Sequence, residues 1–227
     1  MEEKFLYLAI DIFTLSFPFV ASFYPKHAFY KEWKYLFPSL FLMASFFVVW
    51  DIIFTKIGVW GFNERYLSGI FVYNLPIEEI LFFFFIPYSS IFIYFSLKYF
   101  LKNNPFYKLS MHLHYLLIFI CLVTVFLFFD KNYTFYTSLF LLIFLLITWY
   151  KKIDLSAIIF AYIFVIPFFL LTNGILTGSF IDEPVVWYNN SENLGIRMWT
   201  IPVEDLFYGF LLIAGNIVLM ERLKKIF

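Results

Sequence analysis

Leu75-Pro76-Ile77-Glu78-Glu79-Ile80-Leu81-Phe82 and Ile201-Pro202-Val203-Glu204-Asp205-Leu206-Phe207-Tyr208 stand 126 positions apart and say nearly the same thing. Each sets two adjacent acids two residues after a proline, at the head of a long apolar run. The chain is 63% hydrophobic and 26% aromatic, so polar chemistry is scarce elsewhere. Four acids repeated in matched context are therefore the first place to seek function.

Several apolar runs exceed the roughly 18 residues that mark a membrane-crossing helix. Seven spans are read, at 5–23, 36–54, 75–97, 113–129, 134–150, 155–172 and 200–220. This predicts an all-α, polytopic membrane protein. The first span lacks a basic leader and a small-residue cleavage site, the pattern expected of a retained helix. Pro18, Pro87 and Pro167 fall inside runs, where neighbouring helices can satisfy the carbonyls that they free. With seven spans, eleven of the sixteen basic residues fall on the side that holds the C-terminus, which is expected to be cytoplasmic. The loops near 55–74 and 173–199, with both acidic motifs, then lie on the outer side. The formal net charge is zero, which points away from nucleic acid as a partner. The single cysteine, Cys121, excludes an internal disulfide framework.

The repeat extends beyond the acids. Asp51 with Thr55 is echoed by Asn173 with Thr177, and Trp60-Gly61-Phe62-Asn63 loosely by Trp187-Tyr188-Asn189. Each half reads as two helices, a loop, and a third helix opened by Pro-x-Glu-acid. Three spans alone would invert the second copy. The fourth helix restores its direction, giving two parallel three-helix repeats joined by a linking helix. The expected divisions are 1–100, 101–132 and 133–227.

Proline suits the first position of a helix, which would put Glu78 and Glu204 at the third, where a carboxylate complements free backbone donors. Such capping leaves the second acid unexplained, since Glu79 and Asp205 project about 100° away around the helix. An acid at the centre of a spanning helix costs on the order of 2.5–3.5 kcal/mol, and less near an interface. Crowded acids in apolar surroundings are also the setting of a proton donor.

The duplicated Pro-x-Glu-Glu/Asp motif, with Asp/Asn-x-x-x-Thr ahead of each copy, resembles the heterodimer-type lycopene cyclases in their fused, two-repeat form. The resemblance spans essentially the whole chain. It implies an integral membrane enzyme, in a prokaryotic cell membrane, that closes the linear end of lycopene or a related carotenoid to a ring, as in γ- or β-carotene. The reaction is a redox-neutral isomerisation that needs no cofactor. Its partners would be the linear carotenoid, membrane lipid and other carotenoid biosynthetic enzymes. Glu78, Glu79, Glu204 and Asp205 are the candidates to give and take the proton. Asp51, Asn173, Trp60, Trp187, Phe82 and Tyr208 are expected to face the substrate, the rings through their π-systems.

Other classes fit less well. A retinal protein needs a lysine within the last span, a prenyltransferase needs aspartate-rich magnesium motifs, and flavin-dependent cyclases carry G-x-G-x-x-G; none of these is present. His112 and His114 lack a third metal ligand. A proton-coupled transporter or carotenoid carrier is the alternative, because intramembrane acids and internal repeats serve it equally well.

Overall fold

A computed structural model describes residues 3–101, 104 and 107–227. Seven long helices cross the chain: α1 (Leu6–Ala21), α2 (Trp33–Lys56), α3 (Ile77–Phe100), α4 (Tyr107–Leu127), α5 (Asn132–Tyr150), α6 (Ser156–Leu176) and α7 (Glu204–Ile226). All seven are apolar and long enough to span a bilayer. The last helix runs beyond the apolar stretch. Its charged turn is held by Lys224 to Glu32 at 2.5 Å and by Glu221 to Lys98 at 3.2 Å, with cations at the C-terminal end of the helix dipole.

The third and seventh helices form the centre. α1 packs on α3 and α5 on α7, as equivalent pairs, while α2 reaches across to α7 and α6 across to α3. The exchange makes each half part of the other's core, in which Phe47, Phe83, Ile91, Leu141, Leu145 and Ala214 are almost wholly buried. α4 lies outside this group, against α5 and α6. Pro18 removes the N–H that would have bonded the Thr14 carbonyl, and Ser89 on α3 takes its place at 3.0 Å.

Short strands close the end where α3 and α7 begin. β1 (Trp60–Phe62) pairs antiparallel with β4 (Val186–Tyr188), Trp60 opposite Tyr188, so the one strand pairing between the halves joins equivalent loops. Two hairpins precede the central helices: β2 (Phe71–Val72) with β3 (Leu75–Pro76), and β5 (Arg197–Met198) with β6 (Ile201–Pro202). The prolines are thus strand residues. Pro76 precedes α3 with an extended backbone and Pro202 lies two residues before α7, so neither takes the first helical position expected of it. Glu78 is accordingly the second residue of α3 and Glu204 the first of α7.

Each hairpin turns through two residues, and the first has a positive φ: Tyr73 at 64° and Trp199 at 55°. A left-handed side-chain-bearing residue costs about 1–2 kcal/mol, so its recurrence at an offset of 126 shows the duplication surviving in backbone conformation. Tyr73 is 87% exposed and Trp199 67%. Cysteines at these two positions, with native Cys121 buried, should react with a membrane-impermeant maleimide from the same side of sealed vesicles. Reaction from opposite sides would contradict the parallel arrangement.

Candidate functional site

The C-terminal ends of α2 and α6 and the N-terminal ends of α1, α3, α5 and α7 converge beneath the β1–β4 ladder. There they enclose a cavity of about 60 Å³. Its walls include Tyr7, Trp60, Glu79, Phe82, Ile86, Tyr133, Phe169, Asn173, Tyr188, Asp205 and Tyr208, drawn from both halves. Space for a few waters is all this volume offers, so a larger occupant has to move side chains to enter.

The two acids of each motif part company. Glu78 is fully buried and accepts a hydrogen bond from the Ser68 amide, ten residues upstream, at 2.7 Å. Glu204 does the same with the Leu194 amide, also ten residues upstream, at 2.8 Å, and accepts from Thr134 Oγ1 at 2.6 Å. Both tie their loop to the head of the helix, and neither is among the residues around the cavity. Glu79 and Asp205 are. A step of about 100° per residue separates a bracing acid from a cavity-facing one.

The two cavity acids have unlike surroundings. Glu79 Oε2 accepts one hydrogen bond, from the Tyr7 hydroxyl at 2.6 Å. Asp205 accepts three: from Tyr133 on Oδ1, and from Asn173 Nδ2 at 2.6 Å and Tyr188 at 3.0 Å on Oδ2. Burial and the neighbouring Asp205 charge push the Tyr188 hydroxyl above its ordinary pKa, so it remains a donor. Asp51 is buried behind the cavity, accepts from Trp60 Nε1 and from Thr55 at 3.3 Å, and fixes the indole edge-on. The Trp60 ring stands 5.1 Å from Tyr133 and 6.2 Å from Tyr208, both edge-to-face.

Of the residues expected to face a substrate, Asn173, Trp60, Phe82 and Tyr208 line the cavity, and Asp51 supports it. Trp187 lies elsewhere. It is 43% exposed and covers Gly61, where a Cβ would come within 2.3 Å of the indole; Tyr188, not Trp187, is the partner of Trp60 across the ladder. The arginines also stand apart: Arg65 pairs with Glu3 at 2.5 Å, and Arg197 with the Thr200 carbonyl and Asn190. Asp11 is wholly buried, electrostatically close to Glu78, and its carboxyl oxygens have no hydrogen-bond partner among the described residues. Among the described residues no three His, Cys, Asp or Glu are grouped to hold a metal.

Tyr7 and Tyr133 were missed by sequence reading, though a signal existed. Tyr7 and Tyr133 are 126 positions apart, as Glu79 and Asp205 are, and each donates to the acid of its own half.

A family model described as Lycopene cyclase matches residues 4–97 and again 130–223. The two matches together take in most of the chain, which belongs to the lycopene cyclase family. Comparison with curated proteins and with solved structures found no match.

The braces give a direct test. Arg65 and Arg197 are tryptic sites in the loops that Glu78 and Glu204 hold. Removing the acceptor of a buried hydrogen bond costs about 1–3 kcal/mol, so Glu78→Ala should speed cleavage after Arg65, and Glu204→Ala cleavage after Arg197, by roughly fivefold or more. Gln variants keep an acceptor oxygen and should stay near wild type. Wild-type rates in both Ala variants would show that the bonds do not hold the loops.

Proposed function

We propose that the chain cyclises the linear end group of lycopene, or of a related linear carotenoid, by proton-initiated ring closure in the cavity between Glu79 and Asp205. The observation that carries this reading is one cavity with two acids that differ in hydrogen bonding, walled by aromatic rings from both halves. Three donors converge on Asp205 and are satisfied only while its oxygens accept, which suits an ionised carboxylate. Glu79 has a single donor and room to carry a proton on its other oxygen.

Glu79 gives its proton to the terminal double bond of the end group, leaving a tertiary carbocation. An internal alkene attacks that centre and forms the ring bond. A neighbouring C–H then loses its proton to Asp205, and the new double bond forms. The carotenoid keeps its formula, and the proton returns from Asp205 to Glu79 between turnovers. Trp60, Tyr133 and Tyr208 present π-systems to the positive charge, and an end group that fills the small cavity displaces the few waters that would trap the cation. Asp51 acts by holding Trp60, and Tyr7 by orienting Glu79. The halves 1–100 and 133–227, linked through 101–132, act as one unit because each supplies one acid.

The four acids thus divide into two roles, proton transfer at Glu79 and Asp205 and loop bracing at Glu78 and Glu204. In a lycopene-accumulating bacterium, Glu79→Gln and Asp205→Asn should each lower cyclic pigment at least about 100-fold, the low end of a general acid's contribution, at equal protein level. Glu78→Gln should retain most activity. Near-normal pigment from Glu79→Gln would remove that residue from the chemistry, and unchanged lycopene with the wild-type chain would favour a carrier. Because only protons move, the purified protein in detergent should convert lycopene without added flavin, nicotinamide or metal. An absolute need for reduced flavin would overturn the proton-only scheme.

A further inference from the structure

We propose that the polyene of the substrate lies in a single groove along α1, α3 and α6, from the Glu79 cavity to the far end of α3, and that the equivalent groove along α5, α7 and α2 is closed. This rests on the cyclase reading above and names where the rest of the molecule goes. The acid cavity shares Ile86 and Phe169 with an apolar hollow of about 310 Å³ between α1, α3 and α6. That hollow shares Phe17 and Phe92 with a wider one of about 710 Å³, which extends to Ser96 and Phe100.

Length fits the occupant. Glu79 to Phe100 spans twenty-one residues of α3, about 32 Å at a rise of 1.5 Å each. An extended C40 carotenoid is comparable in length with a hydrocarbon core of about 30 Å. The groove is open to lipid, since Phe17 on its wall is 72% exposed and Phe168 also faces outward. At the far end, burial holds the His27 imidazole below its ordinary pKa, so this wall carries no charge at neutral pH.

The equivalent groove, along α5, α7 and α2, shows why one serves. The offset of 126 relates Thr14 to Phe140, and the 122 that relates Asp51 to Asn173 relates Trp50 to Thr172. Thr14 and Thr172 line the open hollow. Phe140 and Trp50 instead meet edge-to-face at 4.8 Å, and Phe140 also packs on Phe46 at 5.4 Å. Beside them Met43 fills the space over Gly215, where a Cβ would come within 2.5 Å of its methyl group. Where the groove beside α3 is open, the equivalent one beside α7 has a plug.

Rebuilding the plug tests the assignment. Thr14→Phe with Thr172→Trp places the residues of the closed groove in the open one, and the KM for lycopene should rise at least tenfold in the purified full-length protein. A second measurement stands if that variant does not fold. In a Glu79→Gln background, Phe17→Cys and its counterpart Ile143→Cys are alkylated with a lipid-soluble maleimide, with and without lycopene. Saturating lycopene should slow alkylation at Phe17→Cys severalfold and leave Ile143→Cys unchanged. Equal protection at both positions, protection only at Ile143→Cys, or a slow rate at Phe17→Cys that lycopene does not alter, as a resident acyl chain would give, overturns the groove. Failure of the wild-type chain to cyclise lycopene would count against the cyclase reading alone, because protection is read without turnover.

Discussion

A buried carboxylate that reaches back ten residues to a loop amide, once at Glu78 and once at Glu204, is the constraint on which this end of the molecule depends. Each bond pins a long loop, 57–76 or 177–203, to the head of a central helix, and the pinned loops carry the strands that meet in the β1–β4 ladder. With the loops fixed, Trp60 and Tyr188 stand over the helix heads and close the cavity. Capping and chemistry are then not rival explanations of the Pro-x-Glu-acid motif. Loop bracing and the acids that line the cavity fall to adjacent residues, separated by the angular step of a helix.

Composite construction follows from the helix exchange. Because α2 packs on α7 and α6 on α3, Asp51 supports an indole that faces the second half's tyrosines, while Asn173 bonds an acid of its own half. Neither half encloses the cavity alone. Exchange of this kind also stabilises an aromatic-rich bundle in lipid, where association rests on packing and buried hydrogen bonds instead of on release of water.

Much of this was legible in the sequence because membrane helices are written in composition. Seven apolar runs gave seven helices, and an odd linker between matched triplets made the repeats parallel. The ends were less legible. Pro76 and Pro202 read as helix starts, since a proline fits the first turn; the two-residue hairpins that claim them as strands depend on left-handed Tyr73 and Trp199, residue types that carry no turn signature. Trp187 read as the counterpart of Trp60 because tryptophan matched tryptophan, yet register across the ladder selects Tyr188. The partition of four acids into two pairs was hidden for the same reason: it is set by which loop amide comes within reach, a contact that spacing does not encode.

Duplication began with two equivalent halves, and the differences between them all point one way. The open groove runs along α1 and α3, the helices that carry Tyr7 and Glu79, so in the proposed scheme an end group arriving by that route meets the acid with one hydrogen bond before the acid with three. The proposed proton donation at Glu79 and proton loss at Asp205 then follow the order of approach. On that proposal a single groove also admits one end of a linear carotenoid at a time, and a second ring would require the product to leave and return reversed, with its first ring at the far end of α3. The middle of the groove, at about 310 Å³, is the narrow part, and the hollow beside Ser96 and Phe100, at about 710 Å³ and open to the side, is where a ring has room. Because the groove opens laterally to lipid along Phe13, Phe17 and Phe168, a ringed molecule can enter sideways without threading the constriction.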